Sequence, residues 1–201
     1  MEIDVKIYNT FTTSKWSGGE TTELFIYPPA SQYKKRDFQF RISSATIPEE
    51  KSDFTKLPGI DRNLLVLSGT TTLTFPDQVV TLSEDEQIEF SGDWDTTSEG
   101  EATDFNLMMQ NGAQGSLESL CLLPGDREIC GIFLKKRSKC FVCLYLCEGS
   151  IIVRDGYGMR NILQGELGVL EIPGDQGVSG VTFENVTDRK VKMIKTVVYI
   201  D

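Results

Sequence analysis

An all-β chain built from two like halves is what this sequence predicts, and three observations carry the expectation. Period-2 alternation of apolar and polar residues recurs along most of the 201 residues, while helical periodicity is nearly absent. Turn chemistry interrupts it often, at Pro28-Pro29, Leu57-Pro58-Gly59, Ser91-Gly92-Asp93, Asn111-Gly112, Pro124-Gly125-Asp126, Asp155-Gly156 and Pro173-Gly174-Asp175. The third observation is a repeat. Leu64-Leu65-Val66-Leu67-Ser68-Gly69 is followed by Glu89-Phe90-Ser91-Gly92-Asp93, and Leu144-Tyr145-Leu146-Cys147-Glu148-Gly149 by Glu171-Ile172-Pro173-Gly174-Asp175. Asp93 trails Gly69 by 24 residues and Asp175 trails Gly149 by 26, as two copies of one β-unit would. Short strands with frequent turns form sandwiches or barrels.

Taken in order, Ile3, Val5 and Ile7 alternate with polar residues and open the chain as a strand. After Trp16-Ser17-Gly18-Gly19 comes a strand in which Thr21 and Glu23 share a face. Arg41 and Ser43 then face away from Phe38, Phe40 and Ile42. Thr70 to Phe75 and Ser150 to Arg154 are short β-rich runs just after each repeated glycine. Asp104 and Asn106 share a face opposite Phe105, Leu107 and Met109, and a looser alternation from Val191 to Ile200 ends the chain. No Gly/Ser-rich or Pro-rich linker separates the halves. The boundary is expected between Asn111 and Gly115, giving lobes 1–112 and 113–201 that pack closely and are free to exchange strands.

Thirty acidic against twenty basic side chains leave a net charge of −10 and a pI near 4.6. Such a surface repels polyanions, so neither nucleic acid nor an anionic membrane is an expected partner. Lys34-Lys35-Arg36 and Lys135-Lys136-Arg137 are read as solvated turns. No apolar run approaches the ~20 residues that cross a bilayer. Met1-Glu2-Ile3-Asp4 has neither the basic nor the apolar region of a signal peptide, and five cysteines fit free thiols. A cytoplasmic location is expected.

Histidine is absent, which removes Ser-His-Asp and Cys-His nucleophiles, imidazole acid/base pairs and His-rich metal centres. An oxygen-only Mg²⁺ or Ca²⁺ site would need a spaced acidic run that the chain lacks. Cys140, Cys143 and Cys147 would converge only on a helix. Their segment reads as a strand, with Cys140 facing away from the other two, so they are expected to be buried structural thiols. No metal and no cofactor is expected.

Three strands thus carry polar stripes with apolar reverses. In an open sheet the stripes are simply the wet side; in a barrel they line a pocket. A guanidinium is costly to bury unpaired, and its planar fork suits a carboxylate. Arg41 or Arg62 would anchor an acidic small molecule, or pair internally with Asp104, Glu23 or Asp61 and bind nothing. Trp16 would cover a ligand or plug the core. From alternation alone both outcomes stay open.

These residues, in this order, resemble the HutD/Ves family of small bicupins. The matching pieces are Trp16 with Gly18-Gly19-Glu20-Thr21-Thr22-Glu23, Phe40-Arg41-Ile42-Ser43-Ser44-Ala45, and Phe54 to Arg62 running into Leu67-Ser68-Gly69. Phe90-Ser91-Gly92-Asp93 and Gly100 with Asp104-Phe105-Asn106-Leu107-Met108 complete them, over about the first 110 residues. The resemblance implies two double-stranded β-helix, jelly-roll-like barrels in a cytoplasmic protein whose relatives accompany histidine-utilisation genes or respond to stress. It also implies binding or sensing of a small acidic metabolite, with Trp16, Thr21, Glu23, Arg41, Ser43, Arg62, Asp104 and Asn106 on the family's motifs. The expectation is a metal-independent bicupin that binds a carboxylate-bearing metabolite in its N-terminal barrel, in a sensing or regulatory role more than a catalytic one, with catalysis left open. The alternatives are a metal-free isomerase or lyase with Glu23 or Asp104 as general base, and a non-binding scaffold or oligomer with internal ion pairs. Edge strands pairing across a two-fold would admit a homodimer.

Overall fold

The computed structural model describes residues 5–16, 19–47, 51–133, 138–155, 158–174 and 178–201. Ile3, Ser17-Gly18, Lys135-Lys136-Arg137, Gly156 and Asp175, all singled out above, lie outside the described residues. The chain divides into two compact units, Phe11–Ala113 and Met1–Thr10 with Gln114–Asp201. The junction falls between Asn111 and Gly115. The leading strand, β1 (Val5–Tyr8), was expected in the N-terminal lobe. It pairs instead with Leu167–Leu170 of the second unit, because its backbone completes that sheet's edge.

The first unit holds β2 (Thr12–Trp16), β3 (Gly19–Tyr27), β4 (Phe40–Ile47), β5 (Ser52–Asp53), β6 (Asp61–Thr74), β7 (Val79–Ser83), β8 (Gln87–Ser91), β9 (Thr97–Glu99) and β10 (Ala102–Met109). A single 3₁₀ turn, Tyr33–Lys35, bridges β3 and β4. With β1, the second unit holds β11 (Gln114–Leu122), β12 (Arg127–Phe133), β13 (Lys139–Glu148), β14 (Ser150–Asp155), β15 (Gly158–Leu163), β16 (Leu167–Pro173), β17 (Val178–Glu184) and β18 (Val191–Ile200).

Pairing is antiparallel and follows one plan twice. The first half of β6 lies beside β8 and β10, and past Gly69 its second half lies beside β7 and β9. In the second unit β13 lies beside β16 and β18, and past Gly149 β14 lies beside β15 and β17. β4 flanks β10 as β11 flanks β18, and β5 joins β9 as β12 joins β17. Each unit is a double-stranded β-helix barrel, and the repeated glycine marks where its central ribbon crosses from one sheet to the other.

Both glycines hold left-handed backbone, φ +82° at Gly69 and +78° at Gly149. Side-chain-bearing residues meet a Cβ clash there that glycine avoids. Gly69 is also crowded, since an added Cβ would lie 2.3 Å from the Glu101 carbonyl oxygen.

The two interiors are filled differently. Residues from both sheets of the second unit, among them Cys140, Val142, Leu144, Leu146, Ile151, Val153, Phe183 and Met193, close into one apolar core. Two distinct apolar clusters stand out in the first unit among the described residues. One gathers Leu64, Val66, Leu73, Phe75, Leu82, Phe90 and Ala102; the other Phe38, Leu57, Ile60 and Met108. Phe38 therefore does not share the face of Phe40, as simple alternation predicts. It precedes β4, so the period-2 rule does not reach it, and its ring stacks at 6.5 Å on Tyr33.

Gly69→Ala is expected to lower stability by more than about 3 kcal/mol, combining backbone strain with an immovable carbonyl neighbour. Gly112→Ala, also at positive φ but with open space around its Cβ, is expected to cost about 1 kcal/mol. Urea unfolding midpoints of the two variants check the difference.

Candidate binding cavity in the N-terminal barrel

Strand register alone assembles the site. Across β4, β10 and β6, Arg41, Met108 and Arg62 lie level; so do Ser43, Asn106 and Leu64, and then Ala45, Asp104 and Val66. Directly opposed residues on antiparallel strands project from the same face. β3 continues the rows with Glu23 opposite Ser43 and Thr21 opposite Ala45, while β2 places Ser14 opposite Thr21. Three polar stripes from distant parts of the sequence thus become one wall.

The wall encloses a cavity of about 330 Å³, lined by seven of the eight expected residues: Trp16, Thr21, Arg41, Ser43, Arg62, Asp104 and Asn106. Glu23 is the exception. It stands behind Arg41 and accepts from its Nε at 2.7 Å. Tyr33, Lys34, Asp53, Phe54 and Thr55 complete the lining, with Ser14, Lys15, Ala45, Ile47 and Met108. Sequence alternation missed Tyr33, Phe54 and their neighbours because a 3₁₀ turn and the loop after β5 have no periodic signal. Lys34 was expected in a solvated turn; it is exposed, and it also borders the cavity. Trp16, at 37% exposure, pairs with Gly19 across the hairpin and donates its indole N–H to Thr21 Oγ1 at 3.0 Å.

The two arginines differ in their partners. Arg41 is satisfied internally: besides Glu23, it donates to Ser43 Oγ at 3.0 Å and lies 4.4 Å from the Tyr33 ring centroid. Arg62 makes no ion pair among the described residues. One terminal nitrogen donates to Asn106 Oδ1 at 3.2 Å, and its buried Nε has no hydrogen-bond partner. The rings of Phe54 and Phe90, 4.7 and 5.0 Å from its guanidinium carbon, flank it instead. Burial lowers the Arg62 pKa to about 10, opposed by Asp104 and Tyr33 and assisted by Arg41. The group remains a cation at neutral pH.

Asp104 is 1% exposed. Its Oδ1 accepts from the Ala45 N–H at 3.1 Å and from the Asn106 amide, which thereby links Arg62 to Asp104. Burial pushes its carboxyl up to about 7, against the opposing pull of Arg62 and of those two hydrogen bonds. The cavity therefore combines a fixed cation short of acceptors, an acid that changes charge near neutrality, and aromatic walls.

Among the described residues no group of three or more His, Cys, Asp or Glu side chains is placed to hold a metal ion. Cys140 and Cys143 are buried on opposite faces of β13, and desolvation raises both thiols, Cys140 to about 12.

A family model described as HutD matches residues 8–156. A conserved protein of unknown function from Pseudomonas aeruginosa PAO1 is similar in structure at a TM-score of 0.79 and 18% identity, covering 98% of this chain and all of its own. HutD from Pseudomonas fluorescens SBW25 is similar at 0.67 and 17%, over 96% of this chain and 98% of its own. The bacterial pirin YhhW of Escherichia coli, solved with nickel(II), is similar at 0.61 and 10%, over 96% and 98%. No curated protein matches the chain by sequence.

The raised Asp104 carboxyl sets a pH dependence. Its proton is held more tightly in the folded chain than in the unfolded one, where carboxylates titrate near 4. The stability it contributes is full below that value and is lost as pH rises through about 7. Relative to wild type, Asp104→Asn is expected to gain stability as pH goes from 4.5 to 7.5. Denaturant unfolding at both ends of the range measures it, and equal differences at the two ends would contradict the assignment.

Proposed function

The chain belongs to the HutD family of cupin-fold proteins, and from that premise we propose that its N-terminal barrel is a metal-independent receptor for a small carboxylate-bearing metabolite, in a regulatory or sensing role. One observation carries the reading: the Arg62 guanidinium is buried, lines an open cavity and has no carboxylate partner among the described residues. A buried cation left in that state costs free energy that an arriving carboxylate recovers through charge-assisted hydrogen bonds. Asn106 fixes the guanidinium plane. Arg41, neutralised by Glu23, adds donors without adding net charge. Tyr33, Phe54 and Trp16 supply apolar area for the rest of the molecule. A cavity of about 330 Å³ suits a small metabolite and excludes a polymer.

A second reading has its own support. A buried acid titrating near 7 beside a cavity is suited to proton transfer, so Asp104 is the candidate general acid or base of a metal-free isomerase or lyase. Glu23 is the weaker candidate, because its carboxylate is held by Arg41 outside the cavity lining.

Thermal-shift titration with a panel of carboxylates, formate included, tests the first reading. Arg62→Ala is expected to weaken binding by roughly 2–5 kcal/mol, and Arg41→Ala by less because Glu23 already satisfies part of it. Ligand-induced stabilisation that survives both substitutions would remove the anchor. Conversion of a bound panel member into product, abolished in Asp104→Asn, would establish the second reading.

A further inference from the structure

Arg62 is a buried cation of the cavity with no ion pair among the described residues, and Asp104 is the acid linked to it through Asn106. Asp104 Oδ1 takes both of its side-chain hydrogen bonds, from the Ala45 N–H and the Asn106 amide, and Oδ2 takes none from the described residues. Asp104 lines the cavity, so Oδ2, the oxygen without a donor among the described residues, is the one left for a ligand there. A carboxylate drawn to Arg62 arrives next to this oxygen. Two anions facing each other at a largely buried site repel unless they share a proton.

We propose that the cavity takes up its carboxylate together with one proton, which comes to rest on Asp104 Oδ2 and bridges it to the ligand. This rests on the carboxylate-receptor reading above and names its chemistry. The step balances simply: ligand carboxylate, Asp104 carboxylate and one proton from solvent form a carboxylic acid–carboxylate pair beside Arg62. No bond to carbon changes. The preferred ligand is then one whose carboxylate accepts a short hydrogen bond; a sulfonate of similar shape, a much weaker base, is disfavoured.

The surroundings allow a clean assignment. The charged and titratable groups around Asp104 are Arg41 on β4, Arg62 on β6, Glu23 on β3, Lys15 on β2, Asp53 on β5, and Tyr33 and Lys34 on the 3₁₀ turn. The chain has no histidine, and all five cysteines, from Cys121 to Cys147, belong to the other unit. No other side chain of Phe11–Ala113 is of a type that ordinarily titrates between pH 6 and 8. The raised Asp104 carboxyl falls in that window, which agrees with the geometry.

The experiment is calorimetric titration of the full chain with formate, acetate and benzoate at pH 7.5. It is run in Bis-Tris and in imidazole, cationic buffers that do not compete for an arginine, and Kd is also followed from pH 6 to 9. Uptake approaching one proton per bound carboxylate is expected in wild type, with Kd rising toward tenfold per pH unit above about pH 8. In Asp104→Asn, uptake falls to near zero and Kd becomes flat with pH. Tight binding without proton uptake in wild type overturns the inference and leaves the receptor standing. No binding of any of the three at any pH overturns both. Should Asp104→Asn fail to fold, the wild-type uptake and slope decide alone.

Discussion

A guanidinium buried without a carboxylate is the constraint around which the N-terminal barrel is organised. Arg62 is held by one amide and two aromatic faces, an arrangement that keeps it charged and dry at once. Desolvation of this kind is tolerated only where the surrounding structure fixes the geometry. Here the fixing elements are the level row with Met108 and Arg41, the Asn106 link to Asp104, and the flanking rings of Phe54 and Phe90.

The second barrel shows the same scaffold without that constraint. Counting back from Gly69 and Gly149, the position of Arg62 corresponds to Val142, that of Leu64 to Leu144 and that of Val66 to Leu146. All three residues of the second copy are fully buried in one apolar core. Opposite Leu144, where the first copy has Asn106, stands Lys195, but its ammonium is matched by Glu118 at 2.6 Å and Glu128 at 3.8 Å. The copies therefore share topology and differ in charge balance. Lys195 is matched by carboxylates, whereas among the described residues Arg62 is not.

Much of the site was legible because β-strand side chains alternate with a period of two. That rule grouped Thr21 with Glu23, Arg41 with Ser43, and Asp104 with Asn106, and it holds wherever the backbone is a regular strand. It failed at Phe38, which precedes β4, and it was silent on Tyr33 and Phe54, which come from a turn and a loop. The repeat of glycines was legible for a related reason: a positive φ at a sheet crossing favours one residue type, so the requirement is written in the sequence.

Local backbone geometry depends on near neighbours, so the sequence by itself determined the all-β class, the twofold repeat and the face on which each polar residue lies. Partnership depends on register between strands far apart along the chain, and only the tertiary structure decided it. Glu23 reaches Arg41 across a bulge between Glu23 and Phe25, while Arg62 meets Asn106 across a separation of 44 residues and finds an amide where a carboxylate would have neutralised it. Which arginine is neutralised by a carboxylate and which meets only an amide is a property of how the ribbons lie side by side.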